Sequence, residues 1–222
     1  MIITDISRQV KNPNRYNVFV DGEFAFGITD TDLVTHRLYK GMEVDAALLD
    51  KLQNELEFAR ARDSAVAYLG RAPKSAKEIA RKLAEKEFSP ASIARVMELL
   101  TKNGYIDDTA FAEQLIRHRY NTSGHGKKRI VGELVQKGVS KQDIIAAFNL
   151  VFDEDEAYAE IDASADAEFA AATMALEKKL RSRDIDDIAD DPKEIQRLVA
   201  FLARRGFTYD VIKRVMTRLL EE

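Results

Sequence analysis

A pattern of apolar residues occurs three times in this chain of 222 residues, although few other residues are shared between the copies. The copies align without gaps, at an offset of 51 residues and then of 68. The aligned positions are Ile79, Leu83, Phe88, Ile93 and Met97, then Ile130, Leu134, Val139, Ile144 and Phe148, then Leu198, Leu202, Phe207, Ile212 and Met216. Their helical spacing on both sides of a turn predicts three copies of a three-helix unit.

A helical repeat completes its core with its neighbours and presents one long surface. The sequence therefore predicts a mainly α fold, with three tandem three-helix repeats of helix-turn-helix type in an elongated array. We expect a binding protein rather than an enzyme with a pocket. The expected domains are residues 1–45, an N-terminal β element with a short helix; 46–106, a linker helix and the first repeat; 107–152, the second repeat; and 153–222, the third repeat.

The N-terminal residues carry a hairpin signal. Two runs that alternate apolar and polar residues, 16–20 and 23–27, flank Asp21-Gly22, a pair typical of tight hairpin turns. An earlier strand within residues 2–10 is expected to pair with the hairpin, because an isolated hairpin is only marginally stable. We expect this small sheet to cap the helices.

Turn and capping residues place the helices. The chain has neither Gly nor Pro from Ala46 to Leu69, which predicts one long helix. Ser75 with Glu78 forms a capping-box pattern, Ser89 is expected to cap the next helix, and Asp108 is expected to be the N-cap of the first helix of the second repeat. Further helices are predicted over residues 127–136, from 141 to about 151, over 154–180, and on either side of Gly206.

Charge is strongly segregated, although the net charge is only −4. Residues 115–141 carry seven Lys or Arg and one Asp or Glu, whereas residues 153–194 carry fifteen acids and five bases. A basic middle followed by an acidic arm indicates an anionic partner for the former, and protein or intramolecular contacts for the latter.

An ordered set of motifs resembles the RecX family of bacterial regulatory proteins, which bind the RecA recombinase. It comprises RYNVFVDGEFAFGI at residues 15–28, GYIDDTAFA at residues 104–112, and single residues in the first two repeats. Those single residues are Tyr68, Leu69, Arg71, Ser75, Glu78 and Leu83, then Gly126, Ile130, Glu133, Leu134, Lys137, Gly138 and Val139. The chain departs from the family pattern at Lys86-Glu87, where a Lys-Gly turn is common.

The resemblance implies tandem three-helix repeats that lie along the groove of the RecA filament on single-stranded DNA. It also implies restraint of strand exchange, of ATP hydrolysis and of the coprotease activity that induces the SOS response. A regulator of this kind has no cofactor and no catalytic residues. Its partner is the filament, with a possible weak direct contact to DNA.

The main candidate for contact with that partner is a basic cluster around the turn at Gly124-His125-Gly126. Lys127, Lys128 and Arg129 lie in the first turn of a predicted helix, where cations oppose the helix dipole, so helix stability does not explain them. A helix N-terminus also attracts phosphate or carboxylate, which favours an anionic partner. The alternative is a solvated basic face that confers solubility. The full candidate set is Arg71, Lys74, Lys77, Arg117, Arg119, Lys127, Lys128, Arg129, Arg204 and Arg205.

Other side chains receive plainer interpretations. Core packing is expected for five aromatic residues, Tyr105, Phe111, Tyr120, Tyr158 and Phe169. Of these, Tyr120, beside the basic cluster, is kept as a candidate for stacking on a base. Neighbouring cations should disfavour protonation of His118 and His125. We expect no metal site, and the sequence has neither a nucleophile signature nor a phosphate loop.

Two other function classes stay open. Three-helix units also resemble helix-turn-helix modules that bind DNA directly, and a protein scaffold would use the acidic arm as its principal surface. Without cysteine, a signal peptide or an apolar run of about 20 residues, the chain is expected to be soluble and cytoplasmic. We also expect a monomer.

Overall fold

The computed structural model describes residues 1–10, 12–152, 163–180 and 191–221. They form two compact bodies, one of Met1–Ala72 with Ile79–Lys102 and one of Pro73–Glu78 with Asn103–Glu222. No helix in the described ranges is long and apolar enough to cross a membrane.

The N-terminal residues form the expected antiparallel sheet. Strands β1 (Ile3–Arg8), β2 (Arg15–Val20) and β3 (Glu23–Thr29) lie side by side in that order. Asp21 and Gly22 both have positive φ, 48° and 88°, as a two-residue turn with the twist of a hairpin requires. One face of the sheet is buried in a core that includes Val18, Phe26 and Leu52.

Ten α-helices follow in the described part of the chain, and the first and third helices of each repeat pack against each other. The pairs are α2 with α4, α5 with α7, and α8 with α10. The bounds are α1 (Asp30–Thr35), α2 (Ala46–Leu69), α3 (Ala76–Ala84), α4 (Pro90–Lys102), α5 (Asp108–His118), α6 (Lys127–Gln136), α7 (Lys141–Phe152), α8 (Ala163–Leu180), α9 (Pro192–Arg204) and α10 (Tyr209–Glu221). Helix α8 covers part of the predicted helix at 154–180, whose first residues lie outside the described ranges.

Polar side chains begin most of these helices, largely as the sequence predicts. Ser75 and Glu78 make the reciprocal capping box, with Ser75 Oγ accepting from Glu78 N at 3.2 Å and Glu78 Oε2 accepting from Ser75 N at 3.1 Å. The prediction for α5 is wrong by one residue. Its N-cap is Asp107, which accepts from Ala110 N at 2.9 Å, whereas the Asp108 carboxylate accepts from Ala76 N at 2.8 Å.

Burial follows the apolar repeat most closely in the second and third copies. All ten of their aligned residues are buried, and they belong to one core that runs from Phe111 to Met216. In the first copy Ile79 and Leu83 are buried, whereas Phe88, Ile93 and Met97 are half-buried. The second and third repeats therefore share a single core.

The second helix of each repeat ends in the same way. The N–H groups of Phe88, Val139 and Phe207 bond back to the carbonyls of Leu83, Leu134 and Leu202, five residues earlier. This C-terminal geometry places one residue in the left-handed region, namely Glu87 at φ 62°, Gly138 at 84° and Gly206 at 86°. Glycine adopts that conformation without strain, but glutamate does not.

We therefore expect Glu87→Gly to raise the free energy of unfolding by about 1 kcal/mol, because it relieves a left-handed residue that carries a Cβ. Urea denaturation monitored by circular dichroism measures the change. The control is Glu98→Gly in the interior of α4, which should lower stability by about 1 kcal/mol. A loss of stability in Glu87→Gly would contradict the prediction.

Candidate interaction surface at the repeat turns

The connection from α5 to α6 is an irregular turn that carries the basic cluster. Helix α5 passes into one π-helical turn, Arg119–Ser123, and Gly124 then reverses the chain at φ 55°. A wide turn of this kind is often found at functional sites. It buries Tyr120 and leaves Asn121 and Thr122 exposed.

Two glycines bring this turn against the end of α9. Gly126 N donates to the carbonyl of Arg205 at 2.9 Å. A Cβ on Gly126 would lie 2.4 Å from the backbone of Gly206, and a Cβ on Gly206 would lie 2.6 Å from Arg129 Cβ. The two backbones can approach this closely only because neither residue has a side chain.

Arg205 fixes the same contact from the other side. Its guanidinium donates to the carbonyls of Ser123 at 2.5 Å and Gly124 at 3.1 Å, and it lies 4.8 Å from the centre of the Phe201 ring. These bonds satisfy carbonyls that the turn leaves outside regular structure. Arg205 therefore holds the turn in place.

A carboxylate from the protein itself occupies the N-terminus of α6. Glu168 of α8 is buried, with 5% of its surface exposed, and its Oε1 accepts from Lys127 N at 2.7 Å. A negative charge at this end of a helix stabilises it through the helix dipole and by bonding a free N–H group. The backbone anion site that the sequence suggests is thus filled internally.

The cations of the first turn of α6 point outward. Lys127, Lys128 and Arg129 are exposed, and none of them makes an ion pair within the described part of the chain. Lys127 Nζ lies 5.1 Å from the centre of the Phe148 ring. Arg204, at the end of α9, is also exposed.

Two other candidates have partners within the second repeat. Arg119 makes a paired contact with Glu133, at 2.8 Å and 2.6 Å, and this hydrogen bond lowers the pKa of the Glu133 carboxyl. Arg117 bonds Glu113 at 3.0 Å and the carbonyl of Leu150 at 3.4 Å. Glu133 is the one acid beside seven bases in residues 115–141, and it neutralises Arg119.

His125 lies at the centre of the cations. Burial lowers the pKa of His125, and Arg129, Arg119 and Arg205 lower it further, whereas Glu133 acts in the opposite direction. Its buried Nδ1 has no hydrogen-bond partner among the described residues. The expected effect on His125 is confirmed, with burial as the larger cause.

The turn before α3 has a comparable environment. Ser75 Oγ donates to the carbonyl of Lys137 at 2.6 Å, and Lys137 Nζ bonds Glu78 at 2.8 Å. The Lys77 side chain fills the space beside Gly138, where a Cβ would lie 2.2 Å from Lys77 Cδ. Burial raises the pKa of Asp108, whose carboxylate receives the N–H of Ala76.

The structure thus brings together only part of the candidate set. Six of the candidates surround or adjoin the contact between the α5–α6 turn and the end of α9, namely Arg119, Lys127, Lys128, Arg129, Arg204 and Arg205. Lys74 precedes α3 and Lys77 lies in its first turn. Arg117 faces Glu113 and α7, and Arg71 is exposed in the other compact body. No group of three or more His, Asp or Glu side chains in the described ranges could hold a metal ion.

Base stacking, which the sequence left open for Tyr120, is contradicted by its burial in the core. Only 6% of Tyr120 is exposed, and its ring packs edge-to-face on Phe152 at 5.6 Å, inside the shared core. Sequence reasoning also missed Glu168 as an acceptor for Lys127 N, and Asp108 as an acceptor for Ala76 N. The sequence feature that best indicates Glu168 is the excess of cations in the first turn of α6, because it favours a nearby anion. That excess does not distinguish an anion of the protein itself from one of a partner.

Fold and site define a class: proteins of tandem three-helix repeats with basic turns between helices. Four family models match in order along the chain, namely the N-terminal domain of regulatory protein RecX at residues 1–45 and the first, second and third RecX three-helix domains at 61–100, 107–147 and 166–216. The chain belongs to the RecX family of regulatory proteins.

Individual relatives agree with this assignment. The chain is 32% identical to "Regulatory protein RecX" of Clostridioides difficile, over 99% of this chain and 96% of that protein. It is 31% identical to the protein of the same name of Clostridium acetobutylicum, over 99% and 97%. A crystal structure of regulatory protein RecX has the same fold, with a TM-score of 0.64 at 24% identity, over 97% of this chain and 98% of that one. The predicted family and fold class are confirmed.

The glycine contact gives a stability prediction. Gly126→Ala should lower the free energy of unfolding by about 3 kcal/mol, because the new methyl group meets backbone atoms that cannot move aside alone. The matched control is Gly132→Ala on α6, where a Cβ meets nothing within 4 Å and stability should rise by up to about 1 kcal/mol. Denaturant titration distinguishes the two, and equal effects would show that the contact is loose.

His125 gives a pH prediction. Because its pKa is lowered in the folded state, the unfolded chain binds the proton more readily, and stability is lost as the pH falls below the ordinary value of 6.5. His125→Gln should therefore lose less stability than the parent between pH 7.5 and 5.5. The control is His118→Gln, an exposed position on α5. Identical pH dependence in the parent and His125→Gln would contradict the prediction.

Proposed function

We propose that this protein binds the RecA recombinase filament on single-stranded DNA and restrains its strand-exchange, ATPase and coprotease activities, in DNA repair and in the SOS response. It does so as a cytoplasmic monomer without catalytic chemistry or a cofactor of its own. The observation that carries the proposal is the family match, which extends from the N-terminal sheet through all three repeats.

The charges of the second repeat support an anionic partner. Lys127, Lys128 and Arg129 stand on the first turn of a helix whose N-terminus is already bonded to Glu168, so their side chains are left to meet an external anion. A nucleoprotein filament offers phosphates and acidic side chains over a long surface. Occupation of that surface would compete with duplex DNA and with repressor substrates.

The direct test is a pull-down of this protein by RecA assembled on single-stranded DNA, compared with RecA alone and with the DNA alone. We expect retention on the assembled filament above the sum of the other two. Retention on DNA alone with no gain from RecA would favour direct binding of DNA as the function. No retention in any arm would overturn the proposal.

The basic turn gives a quantitative prediction. The triple variant Lys127→Ala, Lys128→Ala and Arg129→Ala should weaken filament binding. If its contacts are phosphates, the slope of log K against log salt concentration should become shallower by about 2. The measurement is a titration at several salt concentrations.

A charge-matched control removes three exposed cations outside the candidate set, with Lys51→Ala, Arg60→Ala and Lys102→Ala on α2 and α4. It should leave affinity and slope close to those of the parent. Equal losses in both triple variants would mean that net charge, rather than the cations in the first turn of α6, sets the affinity.

The second candidate is direct binding of DNA. The exposed cations at the start of the second helix of a helix-turn-helix-like repeat favour it, because such proteins contact phosphates through similar turns. Binding to duplex or single-stranded DNA at physiological salt, unchanged by RecA, would support this candidate.

A further inference from the structure

Two sets of contacts in the second compact body resemble each other, because equivalent positions of successive repeats take part in both. The turn before α3 and the turn before α6 are related by the offset of 51 residues, so that Ser75 and Ala76 correspond to Gly126 and Lys127. The ends of α6 and α9 are related by the offset of 68, so that Lys137 and Gly138 correspond to Arg205 and Gly206.

The first pair of equivalent bonds joins a turn to the end of the second helix of the following repeat. Ser75 donates through its hydroxyl to the carbonyl of Lys137 at 2.6 Å. Gly126 donates through its backbone N–H to the carbonyl of Arg205 at 2.9 Å. The left-handed glycine that follows each acceptor lies against the residues just after the turn, Lys77 in one case and Arg129 in the other.

The second pair of bonds joins the same turns to the first helix of the following repeat. Ala76 N donates to the carboxylate of Asp108 at 2.8 Å, and Lys127 N donates to that of Glu168 at 2.7 Å. The acids differ in type and in position along α5 and α8, but each takes up the corresponding N–H group. Matching donors with two different acids indicate one recurring contact rather than a coincidence of packing.

The equivalent positions in the turn before α9 and at the end of α3 are unsuited to this contact. The third turn has its own acceptor, because the N–H groups of Glu194 and Ile195, which correspond to positions 126 and 127, bond to the carbonyl of Asp191 at 3.0 Å and 3.1 Å. At the first repeat the position that corresponds to Gly138 is Glu87, whose Cβ stands where the contact needs a glycine. The sequence thus allows this contact at two positions and prevents it at the two terminal positions.

We propose that this recurring contact is a docking joint, and that Asp108 and Glu168 are its positioning residues. Each acid holds the backbone of the preceding turn by a half-buried, directional hydrogen bond, while the left-handed glycine lets the turn approach. Glu168 thereby fixes the second repeat relative to the third, and with it the placement of the Lys127–Arg129 turn relative to Arg204 and Arg205. Only the consequence for a partner rests on the proposed function.

Two spin labels test the joint directly. The sequence has no cysteine, so Gln142→Cys on α7 and Thr217→Cys on α10, both exposed, can be labelled selectively. Pulsed electron paramagnetic resonance should give a narrow distance distribution in the parent and a shifted, broadened one in Glu168→Ala. Glu168→Gln, which keeps an acceptor for Lys127 N, should restore the parent distribution.

Glu177→Ala is the matched control, because it makes the same substitution at an exposed position of the same helix. Its distance distribution should equal that of the parent. The proposal is overturned if Glu168→Ala leaves the distribution unchanged, or if Glu168→Gln fails to restore it, since the hydrogen bond would then not set the geometry. Measurement well below the unfolding transition separates positioning from general loss of stability.

A second readout connects the joint to the partner. Glu168→Ala should bind the RecA filament on single-stranded DNA several-fold more weakly than the parent, although it removes no cation, and Glu168→Gln should recover the affinity. If the parent itself does not bind the filament, the proposed function fails while the label distances still decide the joint. Parent-like affinity in a variant whose distances have shifted would overturn the claim that the joint serves recognition.

Discussion

The backbone contact between Gly126 and Gly206 is the constraint on which the second compact body depends. A side chain on either residue would meet backbone atoms or Arg129 at 2.6 Å or less. Because both positions lack one, Arg205 reaches the carbonyls of the α5–α6 turn and Glu168 reaches the N-terminus of α6. Close packing of the two turns then allows one core to serve two repeats, and neither repeat has to bury its apolar face alone.

The internal carboxylate changes how the basic turn is understood. Three consecutive cations in the first turn of α6 oppose the helix dipole, which is unfavourable by a few tenths of a kcal/mol for each charge. Glu168 lies buried at that N-terminus and offsets part of the opposition. The cations are therefore compatible with a stable helix in the free protein, and the helix can present them before any partner arrives.

Periodicity predicted the fold well, because helical spacing and turn residues are local properties. The bounds of α2 and α6 match the predicted ones, and the capping box at Ser75 forms as expected. The site was less predictable. Asp107 and Asp108 are chemically equivalent as caps, and only the tertiary approach of Ala76 draws Asp108 away from α5. Glu168 and Tyr120 likewise take their roles from residues distant in sequence, which no local pattern reveals.

The candidate cations near the α5–α6 turn and the end of α9 form two groups, those with hydrogen-bond acceptors inside the protein and those that are exposed. Arg119 and Arg205 complete bonds to Glu133 and to turn carbonyls, so transfer of either to an external anion would leave a half-buried acceptor without its donor, which is costly. No such cost applies to the exposed side chains of Lys127, Lys128, Arg129 and Arg204. At physiological salt, charges within about 8 Å still reinforce one another. Arg205 thus adds to the positive field near His125, where Glu133 offsets the charge of Arg119, while the exposed cations are the ones free to contact a partner.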